Sequence, residues 1–228
     1  MSSLWVPVDT SNEVQNGLRR MLDARSRAID AGERPAGWKI GWNAPAVRER
    51  LGVGSSVIGF LLESGIRPAD QPVPLEGTTK PGAEVELGLR IGEGGTLAAV
   101  GPAIELIDVH GDFFDVEAAL AANVWNRGAV VGDAQDWAPG MLDDIRVMVE
   151  HNGERFADPA RPKDAIGDPE DLVRFVAATL GSLGEDLRAG DVILSGLLVP
   201  GAVWTGPGDR VSADYGPLGR LEIAFGRS

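Results

Sequence analysis

The chain has 228 residues, 43% of them hydrophobic and 24% charged, the proportions of a folded domain with a sizeable core rather than a disordered segment. Acidic residues outnumber basic ones by 34 to 21, and the resulting charge of −13 repels phosphate backbones and anionic lipids, so nucleic-acid and membrane partners are disfavoured. With no cysteine, disulfides, thiolate nucleophiles and thiolate metal sites are excluded.

The N-terminal run Met-Ser-Ser-Leu-Trp-Val-Pro lacks the basic start and apolar stretch of a signal peptide. No apolar run approaches the roughly 20 residues that span a bilayer. A cytoplasmic protein is expected. The 31 glycines and 15 prolines imply many turns and a β-rich chain with short connections.

In chain order, residues 11–31 carry Val14, Leu18, Met21, Leu22, Ala28 and Ile29 at helical spacing, with Ser11 placed to cap the start and Gly32 and Pro35 to end it. This predicts an N-terminal helical segment, residues 1–35, appended to one domain over 36–228. Gly37-Trp38-Lys39-Ile40-Gly41-Trp42 reads as an apolar strand interrupted by one lysine, and a brief helix is predicted for Ala44 to Leu51. Residues 67–81 hold four prolines and no periodicity, and read as an ordered surface loop.

From Ala83 to Ile91 the pattern alternates strictly, with Val85, Leu87, Leu89 and Ile91 on one face and Glu84, Glu86, Gly88 and Arg90 on the other. Two strand pieces, 97–100 and 103–108, should follow, then a helix from Val116 to Val124 and a strand at 129–131. Asn152-Gly153 marks a hairpin turn. Asp168-Pro169-Glu170-Asp171 starts a helix with a cap, a first-turn proline and acids at the positive dipole end. Strands at 192–195, 210–213 and 221–225 complete an α+β domain dominated by a mixed, curled sheet.

Glu84 and Glu86 project from one strand face, which a solvated surface also explains. Glu105 is harder to place on a surface, because Ala103-Ile104-Glu105-Leu106-Ile107 is apolar on both faces and an ionised carboxylate there is costly unless something positive meets it. An arginine or lysine would serve, and so would a hard cation held by several carboxylate oxygens, for which Mg²⁺ or Mn²⁺ is suited. Lys39 either snorkels to the surface or points into a pocket, where burial would tune it for proton transfer or leave it a carboxylate anchor. His110, five residues beyond Glu105, could approach the same site. A nucleophile elbow, a Walker loop and a dinucleotide fingerprint are all absent from the sequence.

Four blocks together resemble the 2-keto-4-pentenoate hydratase / 4-oxalocrotonate decarboxylase branch of the fumarylacetoacetate hydrolase superfamily. They are Gly37-Trp38-Lys39-Ile40-Gly41 with the Leu51-Gly52-Val53 and Gly59-Phe60-Leu61-Leu62 segments; Lys80-Pro81-Gly82-Ala83-Glu84-Val85-Glu86; Pro102-Ala103-Ile104-Glu105-Leu106-Ile107-Asp108; and residues 187–196 with Pro207-Gly208-Asp209. The resemblance implies a curled, barrel-like mixed sheet with flanking helices, and a homo-oligomer. It implies Mg²⁺ or Mn²⁺ on Glu84, Glu86 and Glu105, Lys39 beside a small 2-oxo or 2-enol carboxylate, and Leu62, Ser195 and Gly196 along the substrate. Two departures stand out. The block before the strand at 129 reads Asn123-Val124-Trp125-Asn126-Arg127-Gly128, so Asn126 replaces a pocket serine and takes its place among the chemical candidates, while Trp125 adds bulk. The segment between Glu86 and Glu105 is also short, which removes a helix and lowers one pocket wall. The activity implied is a hydratase. Decarboxylation of a vinylogous 2-oxo diacid, C–C hydrolysis of an acylpyruvate, and a catalytically silent partner subunit are the alternatives.

Overall fold

A computed structural model of the chain describes residues 7–226. Residues 1–6, which bear most of the signal-peptide reading, lie outside that range, as do 227 and 228. The elements run α1 (Asn12–Asp30), β1 (Pro35–Gly41), α2 (Pro45–Leu51), β2 (Val57–Leu62), β3 (Ile66–Arg67), β4 (Pro81–Ile91), β5 (Leu97–Asp108) and α3 (Val116–Ala121). There follow β6 (Asn126–Val131), β7 (Gln135–Asp136), β8 (Met148–His151), β9 (Glu154–Arg155), α4 (Pro162–Ile166), α5 (Pro169–Ser182), β10 (Val192–Leu194), β11 (Val203–Trp204), β12 (Arg210–Asp214) and β13 (Arg220–Ala224).

The main sheet has the strand order β2-β1-β10-β4-β5-β6-β3, with β11 added to β4 and β7 to β5, and a smaller sheet runs β13-β12-β8-β9. Pairs β1–β10 and β3–β6 are parallel, whereas β1–β2, β10–β4, β4–β5 and β5–β6 are antiparallel, so the sheet is mixed. It is curled, as expected. No helix among the described residues is long and apolar enough to cross a membrane.

The spine is the β4–β5 hairpin, 11 and 12 residues long. Where two strand pieces were predicted at 97–108, one continuous strand forms. Gly101 and Pro102 interrupt the β-propensity but not the chain path: Pro102 stays in register with Leu87, and its carbonyl accepts a bond from Gly132 N at 2.9 Å. The Asn152-Gly153 turn has positive φ at both residues (55° and 80°), as a tight hairpin turn requires. Asp168 Oδ1 accepts from Glu170 N at 2.9 Å and caps α5 as read. Ser11, by contrast, makes no side-chain cap bond to α1; Asp9 turns the chain there instead, accepting from Ser11 N and Gly54 N at 2.7 Å each.

The N-terminal helix is no appendage. Val14, Leu18 and Met21 are fully buried in the core cluster that also contains Val57, Ile58 and Leu120, and the first turns of α1 lie against α3. Sequence periodicity identifies the apolar stripe of a helix but not the surface that receives it. Leu18→Ala is therefore expected to cost about 2–4 kcal/mol by transfer loss plus cavity formation. The readout is denaturant unfolding, with one cooperative transition at a lower midpoint. An unchanged midpoint would mean that the helix is dispensable to the domain.

Candidate metal centre and active site

The site is assembled by strand register. Glu84 lies directly opposite Glu105 in the β4–β5 ladder, and Glu86 follows two residues on, so three carboxylates share one face. Lys39, on β1, pairs with Leu194 of β10 and Gly59 of β2. Two strands separate β1 from β5, and in a flat sheet their backbones would stand about 14 Å apart at the usual ~4.8 Å strand spacing. Curling closes that gap: Lys39 Nζ lies 3.0 Å from Glu105 Oε1, and both side chains are buried. Gly59 makes the room, since a Cβ there would lie 3.2 Å from Lys39 Cγ and 2.6 Å from Asn123 Oδ1.

Burial decides the electrostatics. Glu86 and Glu105 have no exposed surface, and Glu84 is half-buried. The solvated-face reading of Glu84 and Glu86 therefore fails, because the sheet's concave face is covered. Desolvation, then repulsion from Glu105, pushes Glu84 up to about 7. Desolvation, Glu105 and Glu84 push Glu86 well above the usual carboxylate range. Desolvation pulls the Lys39 ammonium down, but the attraction of Glu105, Glu84 and Glu86 outweighs it and its pKa is raised.

This donor set fits a divalent cation. Carboxylate oxygens of Glu84, Glu86 and Glu105 lie within 4.8 Å of one another. Glu86 Oε1 and Glu105 Oε2 are buried without a hydrogen-bond partner. The companion oxygens are spoken for: Glu86 Oε2 accepts from Gly196 N at 2.7 Å, and Glu105 Oε1 accepts from Asn126 Nδ2 at 2.8 Å as well as facing Lys39. Each of these two acids is thus held by one oxygen and leaves the other orphaned toward its neighbours. A hard cation with oxygen ligands is the partner that relieves both the orphaned atoms and the mutual repulsion.

Beside the cluster lies a pocket of about 300 Å³, lined by Lys39, Glu84 and Trp125 among the expected residues. It is also lined by residues that the sequence reading did not select, notably Asn43, Arg50, Phe113 and Trp204. Asn43 clamps the chain beyond β10, donating to Leu197 O at 3.0 Å and accepting from Leu197 N at 3.1 Å. The left-handed Gly196 (φ 83°) makes this possible, because a Cβ there would lie 2.7 Å from Asn43 Cγ. The one available signal for Asn43 was its position directly after the Gly41-Trp42 end of the lysine motif.

Other expected residues sit elsewhere. Ser195 Oγ accepts from Leu87 N at 2.9 Å and donates to Gly196 O at 3.0 Å, so it knits β10 to β4 instead of lining the pocket. Leu62 ends β2 opposite Pro35 and is absent from the lining; its strand serves the site through Gly59. His110 is not a lining residue either, and its Nδ1 meets Asp108 O at 2.9 Å. The predicted 116–124 helix stops at Ala121, and Asn123, Val124 and Trp125 all take left-handed φ (56°, 50° and 59°). The turn is held open by the Asn123 amide, which exchanges bonds of 2.8 and 2.9 Å with Phe60 N and O, and by Trp125 Nε1 donating to His110 O at 3.0 Å. It delivers Val124 and Trp125 to the pocket wall and Asn126 to Glu105.

A curled mixed sheet that brings together an acidic triad, a buried lysine and an adjoining small pocket has the make-up of a small-molecule enzyme, with oxygen donors suited to a divalent cation. The family model for the C-terminal region of fumarylacetoacetate hydrolase matches residues 54–225, and the chain belongs to that family, on its 2-keto-4-pentenoate hydratase / 4-oxalocrotonate decarboxylase branch. It is 31% identical to a 2-hydroxyhexa-2,4-dienoate hydratase of Comamonas testosteroni, covering 86% of this chain and 80% of the relative. It is 30% identical to a 2-keto-4-pentenoate hydratase of Paraburkholderia phymatum, covering 74% and 70%. Its fold is similar to that of 4-oxalocrotonate decarboxylase from Pseudomonas putida G7, complexed with magnesium and adipate, with a TM-score of 0.80 at 24% identity over 90% of this chain and 83% of that one.

Proposed function

We propose that the protein is a divalent-metal-dependent hydratase that adds water to a small 2-hydroxydienoate, giving a 4-hydroxy-2-oxo acid. The observation that carries this reading is the joining of Glu84, Glu86 and Glu105, two of them with orphaned oxygens, to Lys39 beside a pocket that Lys39 and Glu84 line. The hydratase relatives and the magnesium complex of the fold neighbour support it. Such an ion, Mg²⁺ or Mn²⁺, would supply positive charge against the negative charge that develops on a 2-oxo or 2-enol acid. The three glutamates would hold that ion.

The chain's own groups do the rest. Lys39 Nζ, held at Glu105, is placed to give or take a proton at the substrate carbon chain or to anchor its carboxylate. Asn126 orients Glu105, and the Gly196 amide orients Glu86, so that the free oxygens keep their direction. Trp125, Phe113 and Val124 wall the pocket with apolar surface that suits a conjugated carbon chain.

Decarboxylation of a vinylogous 2-oxo diacid is the second reading, because it develops the same negative charge and a relative named 4-oxalocrotonate decarboxylase (Pseudomonas putida, 26% identical) is among those matched. Acylpyruvate hydrolysis is weakened, since no histidine among the described residues lines the pocket. A silent partner subunit would have no need for buried, orphaned acids. The test is consumption of 2-hydroxypenta-2,4-dienoate, followed by loss of its ultraviolet absorbance with Mg²⁺ or Mn²⁺ and after chelation. Metal-dependent loss supports the hydratase. Carbon dioxide release from the diacid without dienoate consumption moves the protein to the decarboxylase.

We also read the protein as a homo-oligomer. Phe114, Met148 and Trp204 are exposed at 57%, 44% and 44%, and large aromatic side chains are the usual anchors of interfaces. Light scattering is expected to give at least twice the chain mass. A particle near 24 kDa at working concentrations would refute the assembly.

A further inference from the structure

Apart from Lys39, Arg50 is the single cationic residue lining the site pocket among the described residues. It stands in the last turn of α2, where its guanidinium lies 6.0 Å from the Phe113 ring centre and 5.7 Å from that of Phe114. Cation–π contacts of this kind draw a guanidinium towards the rings while leaving its N–H edge able to form a two-pronged bond. No described carboxylate pairs with it, although the chain carries 34 acidic residues. Its neighbour Arg48 shows the contrast: that side chain is committed to the carbonyls of Trp42 and Asn43 at 3.1 and 2.6 Å.

The pocket thus has two poles. One is the acidic cluster with Lys39, and the other is an arginine that no described carboxylate neutralises. The lining is otherwise mostly apolar. A protein of net charge −13 repels a dianion in bulk solution, so a substrate with a second carboxylate needs local cations at both of its ends.

We infer that Arg50 is a specificity-determining residue that binds a distal carboxylate, and that the favoured substrates are dicarboxylates: 2-oxo or 2-hydroxydienoic acids with a second carboxylate at the far end of the carbon chain. This rests on the reading of the pocket as a 2-oxo acid site. It adds that the far end of the substrate is charged and is read by the α2 arginine.

The probes are 2-oxoadipate and 2-oxohexanoate, which share the 2-oxo acid head and differ at the far end. Each is titrated calorimetrically into the magnesium-supplemented protein and its Arg50→Met and Arg50→Lys variants. The unsubstituted protein is expected to prefer the diacid. Arg50→Met should lower the diacid/monoacid affinity ratio by about 5- to 30-fold, the effect of losing a half-solvated charge-assisted pair. Arg50→Lys should recover part of it, since it keeps the charge but not the planar fork. Equal weakening of both probes would overturn the inference, because it would show Arg50 merely propping Phe113 and Phe114. So would an unsubstituted protein with no preference. The two readings fail separately. A shifted ratio in a protein that consumes no dienoate sinks the hydratase alone, whereas dienoate consumption with an unmoved ratio sinks the role of Arg50 alone.

Discussion

Glu105→Gln is expected to abolish turnover and to weaken Mg²⁺ or Mn²⁺ binding by at least about 10- to 100-fold, the loss that even indirect disturbance of a metal's surroundings produces. The substitution keeps shape and removes one charge. It takes away an oxygen that has no hydrogen-bond partner and the acid facing Lys39 at 3.0 Å. Lys39 retains Glu84 and Glu86 nearby, so the buried ammonium is not stranded and the fold should survive, which a thermal melt would verify. The pH dependence has a definite sign. Ligand carboxylates must be deprotonated, and Glu84 is pushed up to about 7 while Glu86 lies well above its ordinary value. Metal affinity in the unsubstituted protein should therefore fall as pH drops through about 7, with protons taken up when the ion leaves. Calorimetry at several pH values measures both effects. Unaltered affinity in Glu105→Gln would remove that residue from the ligand set.

Lys39→Ala is expected to lose on the order of 10²–10⁴ in kcat, the usual contribution of a general acid–base group. In the metal-free site the three glutamates hold the ammonium in its charged form. A bound cation cancels much of their field, while the desolvation that favours the neutral amine remains, so Lys39 gives up its proton more readily in the loaded enzyme. Lys39→Arg separates the possible roles. Arginine keeps a fixed positive charge but does not deprotonate, so it would restore activity if the residue only anchors a carboxylate, and would not if Lys39 moves a proton. Steady-state kinetics of both variants with a 2-hydroxydienoate gives the answer, and near-native kcat in Lys39→Ala would take this residue out of the mechanism.

Much of the candidate site was legible in the sequence because its parts are local anomalies. A lysine in an apolar strand and a glutamate with apolar neighbours on both sides each break the pattern around them, and buried charge is costly enough that such breaks have a cause. The acidic pair was readable from strand alternation. Asn43, Arg50, Phe113 and Trp204 broke no local pattern. An asparagine after a strand, an arginine in a helix, a phenylalanine in a connecting segment and a tryptophan in a two-residue strand suit many surroundings, and only the folded chain shows them lining one pocket. The roles expected for Ser195 and Leu62 came from position in a motif, and that of His110 from its closeness in sequence to Glu105; both place a backbone but not the direction of a side chain.

Alternation, turn residues and helix caps determined the order and type of the elements: the β4–β5 hairpin, the Asn152-Gly153 turn and the Asp168-capped α5 all follow from interactions within a few residues. The tertiary structure alone decided which surfaces meet. It packed α1 into the common core, brought Lys39 to Glu105 across two intervening strands, and drove Val124 and Trp125, after the tolerant Asn123, into a left-handed turn against their own preference. Local propensities differ by about 1 kcal/mol or less per residue, whereas curling a sheet, filling a core and pairing a buried charge each draw on interactions between distant segments that no window of sequence contains.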